Sequence, residues 1–301
     1  MDSRVYSEFT GREPIGVVLN HADQDGLVVR QGLKGVERLE GVQFQGDDSI
    51  LHGLGEDVIA GLLAVTGLKE DEGLSVGLCS DVGGAVTRLT LRGVRFELAD
   101  TPPFPYSVGD EYWFHSVVEG VTGRYKPFLD CRSTPCIIDG SLATGVRRYP
   151  MVDGEYMVFT SFNKWLYTPG RLGAVFYTPG FPARLECGEP SPLLLAYVKG
   201  VLDYLASTGI EGVESRVLGL TGEYGWLLDK AGYTPLTPPE GEYRAGIVAF
   251  SLPLPSGEVG SIRSRLSRMG VRVGFVRKIM RLSPSFYNTV GDIDPVLRLL
   301  P

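Results

Sequence analysis

Residues 137–177 read IIDGSLATGVRRYPMVDGEYMVFTSFNKWLYTPGRLGAVFY, and this stretch decides the fold. It opens with a short apolar strand that ends on Asp139. Two further strand-like runs follow at 156–160 and 172–177, both rich in β-branched and aromatic residues. Between them, Ser161-Phe162-Asn163-Lys164 and Thr168-Pro169-Gly170 supply turn chemistry, with Lys164 on the turn. A carboxylate at the end of a buried strand and a Lys on a nearby loop are what a pyridoxal phosphate site requires. The Lys condenses with the aldehyde, and the carboxylate keeps the pyridine nitrogen protonated so that the ring accepts electrons. The spacing by itself fits a structural Asp and a solvated Lys as well.

Composition removes several classes of function. The 301 residues suffice for one large α/β domain, or a large and a small one. Hydrophobic residues make up 43%, yet no apolar run approaches a membrane span. No basic, apolar, small-residue leader opens the chain, so a cytoplasmic location is expected. A net charge of −7 gives no basic face for phosphate neutralisation, so neither nucleic acid nor membrane is an expected partner. The 22 Arg against 7 Lys hint at a heat-adapted source. Cys79, Cys131, Cys136 and Cys187 form no CxxC pair and His21, His52 and His115 are scattered, so reduced thiols and no metal are expected.

Along the rest of the chain, 1–14 is polar and 15–19 reads as a strand. Leu51-His52-Gly53-Leu54-Gly55-Glu56 runs into an apolar-periodic helix. Glycines just ahead of a helix leave its first N–H groups open to an anion, although a plain helix start reads the same way. Strands are expected at 74–78, 94–98 and 112–117, with helical spacing at 83–93, a Pro-rich loop at 101–109 and a short helix at 125–132. Leu194, Val198, Val201 and Leu205 mark one face of a long helix, a connector between domains, and a second helix covers about 211–231. The turn-rich 234–241 (TPLTPPEG) is expected to bound the smaller domain. Asp294 is expected to cap the last helix, with Pro295 at its first position.

On these residues the chain resembles the class V aminotransferase-type enzymes of fold type I, the group of cysteine desulfurases, kynureninase and serine–pyruvate-type aminotransferases. The family's Asp-Gly/Ala-x-x-x-x-Gly run is met at 139–145, and its Ser-x-His-Lys at Ser161-Phe162-Asn163-Lys164. The Gly-Pro-x-Gly-x-Gly turn corresponds to 168–173, Val-Thr-Gly-x-x-x-Pro to 121–127 and Glu-x-Gly-Thr-Pro to 186–190. Arg281-Leu282-Ser283-Pro284-Ser285-Phe286-Tyr287-Asn288-Thr289 is similar to Arg-x-Ser-Pro-x-x-Tyr-Asn-Thr. The resemblance implies an α/β fold: a mostly parallel large domain of the pyridoxal-phosphate transferase type and a small C-terminal α+β domain, divided as 1–14, 15–205 and 206–301. It also implies a homodimer acting on an amino acid or keto acid by transamination or elimination.

By the same resemblance Lys164 is the catalytic Lys, and Asp139, Ser161, Asn163, Gly53, Leu54 and Gly55 bind pyridoxal 5'-phosphate. Arg281 grips the substrate carboxylate. The chain departs from the family at several of these places. Leu54 and Gly55 replace hydroxyl residues, Leu142 replaces Gln or His, Asn163 replaces His, and Glu189 replaces a Thr that reaches the partner's phosphate. No aromatic or His stands at 80–82 to stack on the ring. A degenerate member that keeps the fold as a binding or assembly protein is therefore the alternative. Cysteine desulfurase chemistry is not expected, because 232–280 contains no Cys to serve as the loop thiolate.

Overall fold

A computed structural model describes residues 48–68, 74–80, 106–108, 112–169, 171–181, 188 and 190–300. The readings made for 1–47, 83–98, Cys187 and Glu189 lie outside these residues. The described chain divides into two compact units. One holds 126–207 and the described residues before 119; the other holds 119–125 and 208–300.

The first unit begins with helix α1 (Asp48–Thr66) and continues through strands β1 (Ser75–Cys79), β2 (Tyr106–Val108), β3 (Tyr112–Ser116), β4 (Phe128–Asp139), β5 (Met151–Ser161) and β6 (Gly173–Tyr177) to helix α2 (Pro192–Thr208). The strands form one sheet in the order β1-β6-β5-β4-β3-β2. β3, β4 and β5 pair in parallel. β6 is antiparallel to both β5 and β1, so β1 runs with β5; β2 is antiparallel to β3. Four strands thus share one direction, and the sheet is mostly parallel, as a βαβ-patterned sequence demands. β6 (GAVFY) is buried at all five positions, the continuous apolar run of a strand covered on both faces. Ile137, Met157, Phe159, Val175 and Tyr177 form one core with Cys79 and Phe181.

β4 differs from expectation in two ways. Residues 128–132 are strand where a short helix was expected, because pairing to β5 outweighs local propensity. The ladder then breaks: Cys131 faces Gly154 and Cys136 faces Tyr156, so five steps on β4 span two on β5. A disulfide joins Cys131 to Cys136 across this bulge, with Cα atoms 5.5 Å apart. Cys79 is also disulfide-bonded. The expected reduced thiols are corrected on this point: residues distant in register are brought into bonding range by the bulge, which no spacing rule shows. Among the described residues no single helix is long and apolar enough to cross a membrane.

The second unit contains α3 (Ile210–Lys230), β7 (Val248–Ser251), α4 (Val259–Arg268), β8 (Gly274–Val276), β9 (Ile279–Leu282) and α5 (Asp294–Leu299). Its sheet is antiparallel, ordered β7-β9-β8. α3 buries Val213, Val217, Leu220, Tyr224 and Leu228, the three-and-four spacing of a one-faced helix. Of these, Leu220, Tyr224 and Leu228 join Val248, Phe250, Ile262, Leu266, Met280 and Leu282 in the unit's core. Segment 119–125 is built into this unit. Tyr125 N–H donates to Tyr243 O (2.9 Å), Thr237 Oγ1 donates to Thr122 O, and Arg124 bridges Arg244. At the C-terminus, Asp294 is the first residue of α5 and Pro295 follows it, one step later than expected. Thr289 and Asp292 instead close a reciprocal capping box at the turn before it.

Gly154 has φ +99°, and a Cβ there would strike the Cys131 backbone. Gly154→Ala combines a left-handed strain with a clash that no side chain can relieve. Its cost is about 2 kcal/mol or more, read as a lowered denaturation midpoint; an unchanged midpoint sinks the argument.

Candidate active site

Asp139 closes β4 at the carboxyl end of the parallel strands, between Ser116 of β3 and Phe159 of β5. The backbone there is held from both sides. Val117 N–H donates to Asp139 O (2.9 Å), and Gly140 N–H donates to Phe159 O (2.8 Å). Ser141 N–H donates to Asp139 Oδ1 (2.9 Å), and the Ser141 hydroxyl also addresses the carboxyl. Burial raises the pKa of Asp139 above the ordinary carboxylate value; Ser141 and the charge of Lys164 act in the opposite direction without cancelling it. The two residues belong to turns that are hydrogen-bonded to each other.

Lys164 lies in the turn that follows β5. Phe162 N–H donates to Leu172 O (2.9 Å) and Thr168 N–H to Phe162 O (3.2 Å), which pins both ends of the loop. Ser161 Oγ donates to Asn163 Oδ1 (2.7 Å), so the amide nitrogen of Asn163 is its remaining polar end. Ser161 N–H donates to Ser141 Oγ (3.0 Å), and Trp165 Nε1 donates to Leu142 O (2.9 Å). The Lys164 loop and the turn after Asp139 are therefore laced together. Leu142 enters this lacing through its carbonyl alone. Tyr167 has φ 54°, a left-handed backbone stored within the loop. Among the described residues, the buried hydroxyls of Thr168 and Tyr197 have no hydrogen-bond partner. Burial pushes Tyr197 up to about 12, so it keeps its proton.

Gly53, Leu54 and Gly55 need a correction. The helix starts at Asp48, so these residues lie inside α1 and not in a loop ahead of it. Their N–H groups face helical carbonyls, and the argument for an anion site at a helix start no longer applies to them. Gly55 packs toward β1, where an added Cβ would sit 3.8 Å from Leu78 Cδ1. The Gly residues had signalled a break, but packing against β1 carried the helix through them.

Arg281 lies in the second unit on β9, between Ala249 and Gly274 on the neighbouring strands. Met280 and Leu282 enter the core, so Arg281 projects from the opposite face, beside two small residues that leave room. Desolvation lowers its pKa, and among the described residues no carboxylate pairs with it and its Nε has no hydrogen-bond partner. The rest of its motif is scaffold. Asn288 Oδ1 accepts from Ser285 N–H (2.8 Å), and Asn288 Nδ2 donates to Asp292 Oδ2 (2.9 Å). Arg216 Nη2 donates to Asn288 O (2.8 Å), and Tyr224 OH donates to Thr289 O (2.8 Å).

This arrangement can hold a ring nitrogen's proton at Asp139 and carry a proton on Lys164. A mostly parallel sheet followed by a small antiparallel unit is a fold that this chain shares with solved cysteine desulfurase and aminotransferase structures. Over 98% of this chain and 96% of its own, the cysteine desulfurase of Thermococcus onnurineus superposes with a TM-score of 0.71 at 12% identity. An alanine–glyoxylate aminotransferase from Nostoc covers 96% and 95% at a TM-score of 0.68 and 15% identity. In sequence, isopenicillin N epimerase of Streptomyces clavuligerus is 25% identical over 232 residues, 60% of this chain. The chain spans 57% of that relative's length. No family model matches the chain.

Asp139→Asn tests the buried carboxyl. A raised folded pKa means that its contribution to stability is present below the unfolded pKa and lost as pH rises through the folded value. The protein without cofactor should therefore gain melting temperature on substitution at neutral pH, with the gain closing in acid. Parallel melting curves across that range refute the assignment.

Proposed function

We propose that the protein is a pyridoxal-phosphate enzyme acting on an amino acid or its keto acid by transamination or elimination. The observation that carries this reading is a desolvated Asp139 attracted to Lys164, the pair that the cofactor needs in one neighbourhood. The bound group would supply an electron sink for bonds at the substrate's α-carbon. Asp139 would hold the ring nitrogen's proton, and the positive ring would in turn repay the desolvation of its carboxylate. Lys164 would anchor the cofactor aldehyde and then move the proton at the α-carbon. Ser161 and Asn163 would orient the group from the loop. Arg281 would bind the substrate carboxylate, a role supported by its desolvation with no counter-ion among the described residues. The donor set fits the ring; the phosphate side is thinner, since Gly53, Leu54 and Gly55 are helical. We place the enzyme in the cytoplasm as a homodimer, and the absence of Cys from 232–280 argues against cysteine desulfurization.

The helical course of Gly53–Gly55, together with Leu142, favours a second reading, a fold retained for binding or assembly. A visible absorption band on adding pyridoxal phosphate, abolished by Lys164→Ala, separates the two. Folded protein with no band at saturating cofactor excludes the enzyme. Arg281→Lys loses the bidentate fork and should weaken an amino acid's binding about tenfold to a hundredfold while leaving the cofactor band in place. Equal amino-acid affinity removes Arg281 from the site.

A further inference from the structure

Three hydroxyls to which no motif gives a role meet beneath the turn after Asp139. Thr144 Oγ1 lies 2.6 Å from Tyr149 OH and 2.6 Å from Thr160 Oγ1, and it donates to Gly140 O (3.1 Å). With its proton directed to Gly140 O, Thr144 Oγ1 has lone pairs to accept from both Tyr149 and Thr160. All three residues are buried. Gly140 O also accepts from Ala143 N–H (2.9 Å) and Thr144 N–H (3.1 Å), so the cluster closes on a single carbonyl.

The position of Tyr149 gives this cluster reach. The residue stands at the far end of the excursion from β4 to β5, and its N–H donates to Thr66 O of α1 (2.9 Å). Its ring meets Phe176 edge-on, with centroids 6.4 Å apart. Its hydroxyl fills the space that a Cβ on Gly140 would need. Thr160 is the residue before Ser161, so the cluster ties the end of β5 to the Asp139 turn. Ser161 N–H to Ser141 Oγ makes a second tie between the same two segments. The peptide on one side of Gly140 carries the Asp139 carbonyl, and Ser141 N–H on the other holds the Asp139 carboxyl.

We propose that Tyr149, acting through Thr144 and Gly140, is a positioning residue that sets the Asp139 carboxyl against the ring nitrogen of the cofactor. The proposal rests on the reading of Asp139 given above. The Tyr149 hydroxyl touches neither the carboxyl nor the cofactor; it fixes the peptide from which the carboxyl and its Ser141 donor both hang. Tyr149→Phe keeps the ring packing and removes the donor, and Thr144→Val removes the relay. Tyr197→Phe, another buried hydroxyl of the same unit, is the control.

Two readouts decide it. In protein without cofactor, the Asp139 titration is followed by carboxyl carbon NMR. Its midpoint should move in Tyr149→Phe and Thr144→Val and stay in Tyr197→Phe. In protein titrated with pyridoxal phosphate, the two variants should bind roughly three- to tenfold more weakly, the range of one buried neutral hydrogen bond. Unmoved midpoints with wild-type affinity in both folded variants overturn the proposal. So does an equal loss in Tyr197→Phe, which would reduce the effect to general packing. Moved midpoints in a wild type that binds no cofactor uphold the positioning role and overturn only the proposed function.

Discussion

A carboxyl carried into the protein at the end of β4 is the constraint around which the first unit is arranged. Burial raises its pKa, and the opposing influences are Ser141 and Lys164. Leaving a charge in such a place is costly unless something cationic arrives. The neighbouring structure is shaped by that demand. β3 and β5 flank Asp139 and fix its backbone, Ser141 turns its amide to the carboxyl, and the Lys164 loop is laced to the same turn. A cationic ring nitrogen would satisfy the carboxyl more fully than Lys164 does alone.

Arg281 presents the complementary case in the other unit. It is a desolvated cation with no anion among the described residues, seated between Ala249 and Gly274 and held on a strand whose alternate residues are core. The motif around it is tied together, Asn288 accepting from Ser285 N–H and Asp292 from Thr289 N–H. The hydrogen-bonded scaffold and the desolvated guanidinium thus belong to different residues of one short stretch, 281–292.

The strand end at Asp139 and the turn at Lys164 were legible because an apolar run stops at the first and turn-forming residues surround the second. The runs at 156–160 and 172–177 were legible from their β-branched and aromatic content. Gly53 and Gly55 misled because a glycine weakens a helix only modestly, by about 1 kcal/mol, and contact with β1 overrides that. Residues 128–132 misled because their strand character comes from pairing with 151–154. The hydroxyl cluster was invisible for a further reason. Thr144, Tyr149 and Thr160 become neighbours only when a loop folds back on its own beginning, and nothing in YP or FTS encodes that meeting. The bond between Cys131 and Cys136 depends likewise on a bulge that exists only in the paired sheet.

The seven residues 119–125 link β3 to β4, yet they are packed among residues that follow 234. Gly123, with φ +74°, lets its backbone lie against Ile247. This interleaving has a consequence for synthesis. A ribosome makes β3, this link and β4 well before it makes the segment that the link packs against. Until that segment has been made, the link lacks the partners that its backbone meets in the folded chain. A chain truncated before residue 234 therefore leaves 119–125 without Thr237, Tyr243 and Arg244, the groups that meet this link from the C-terminal side.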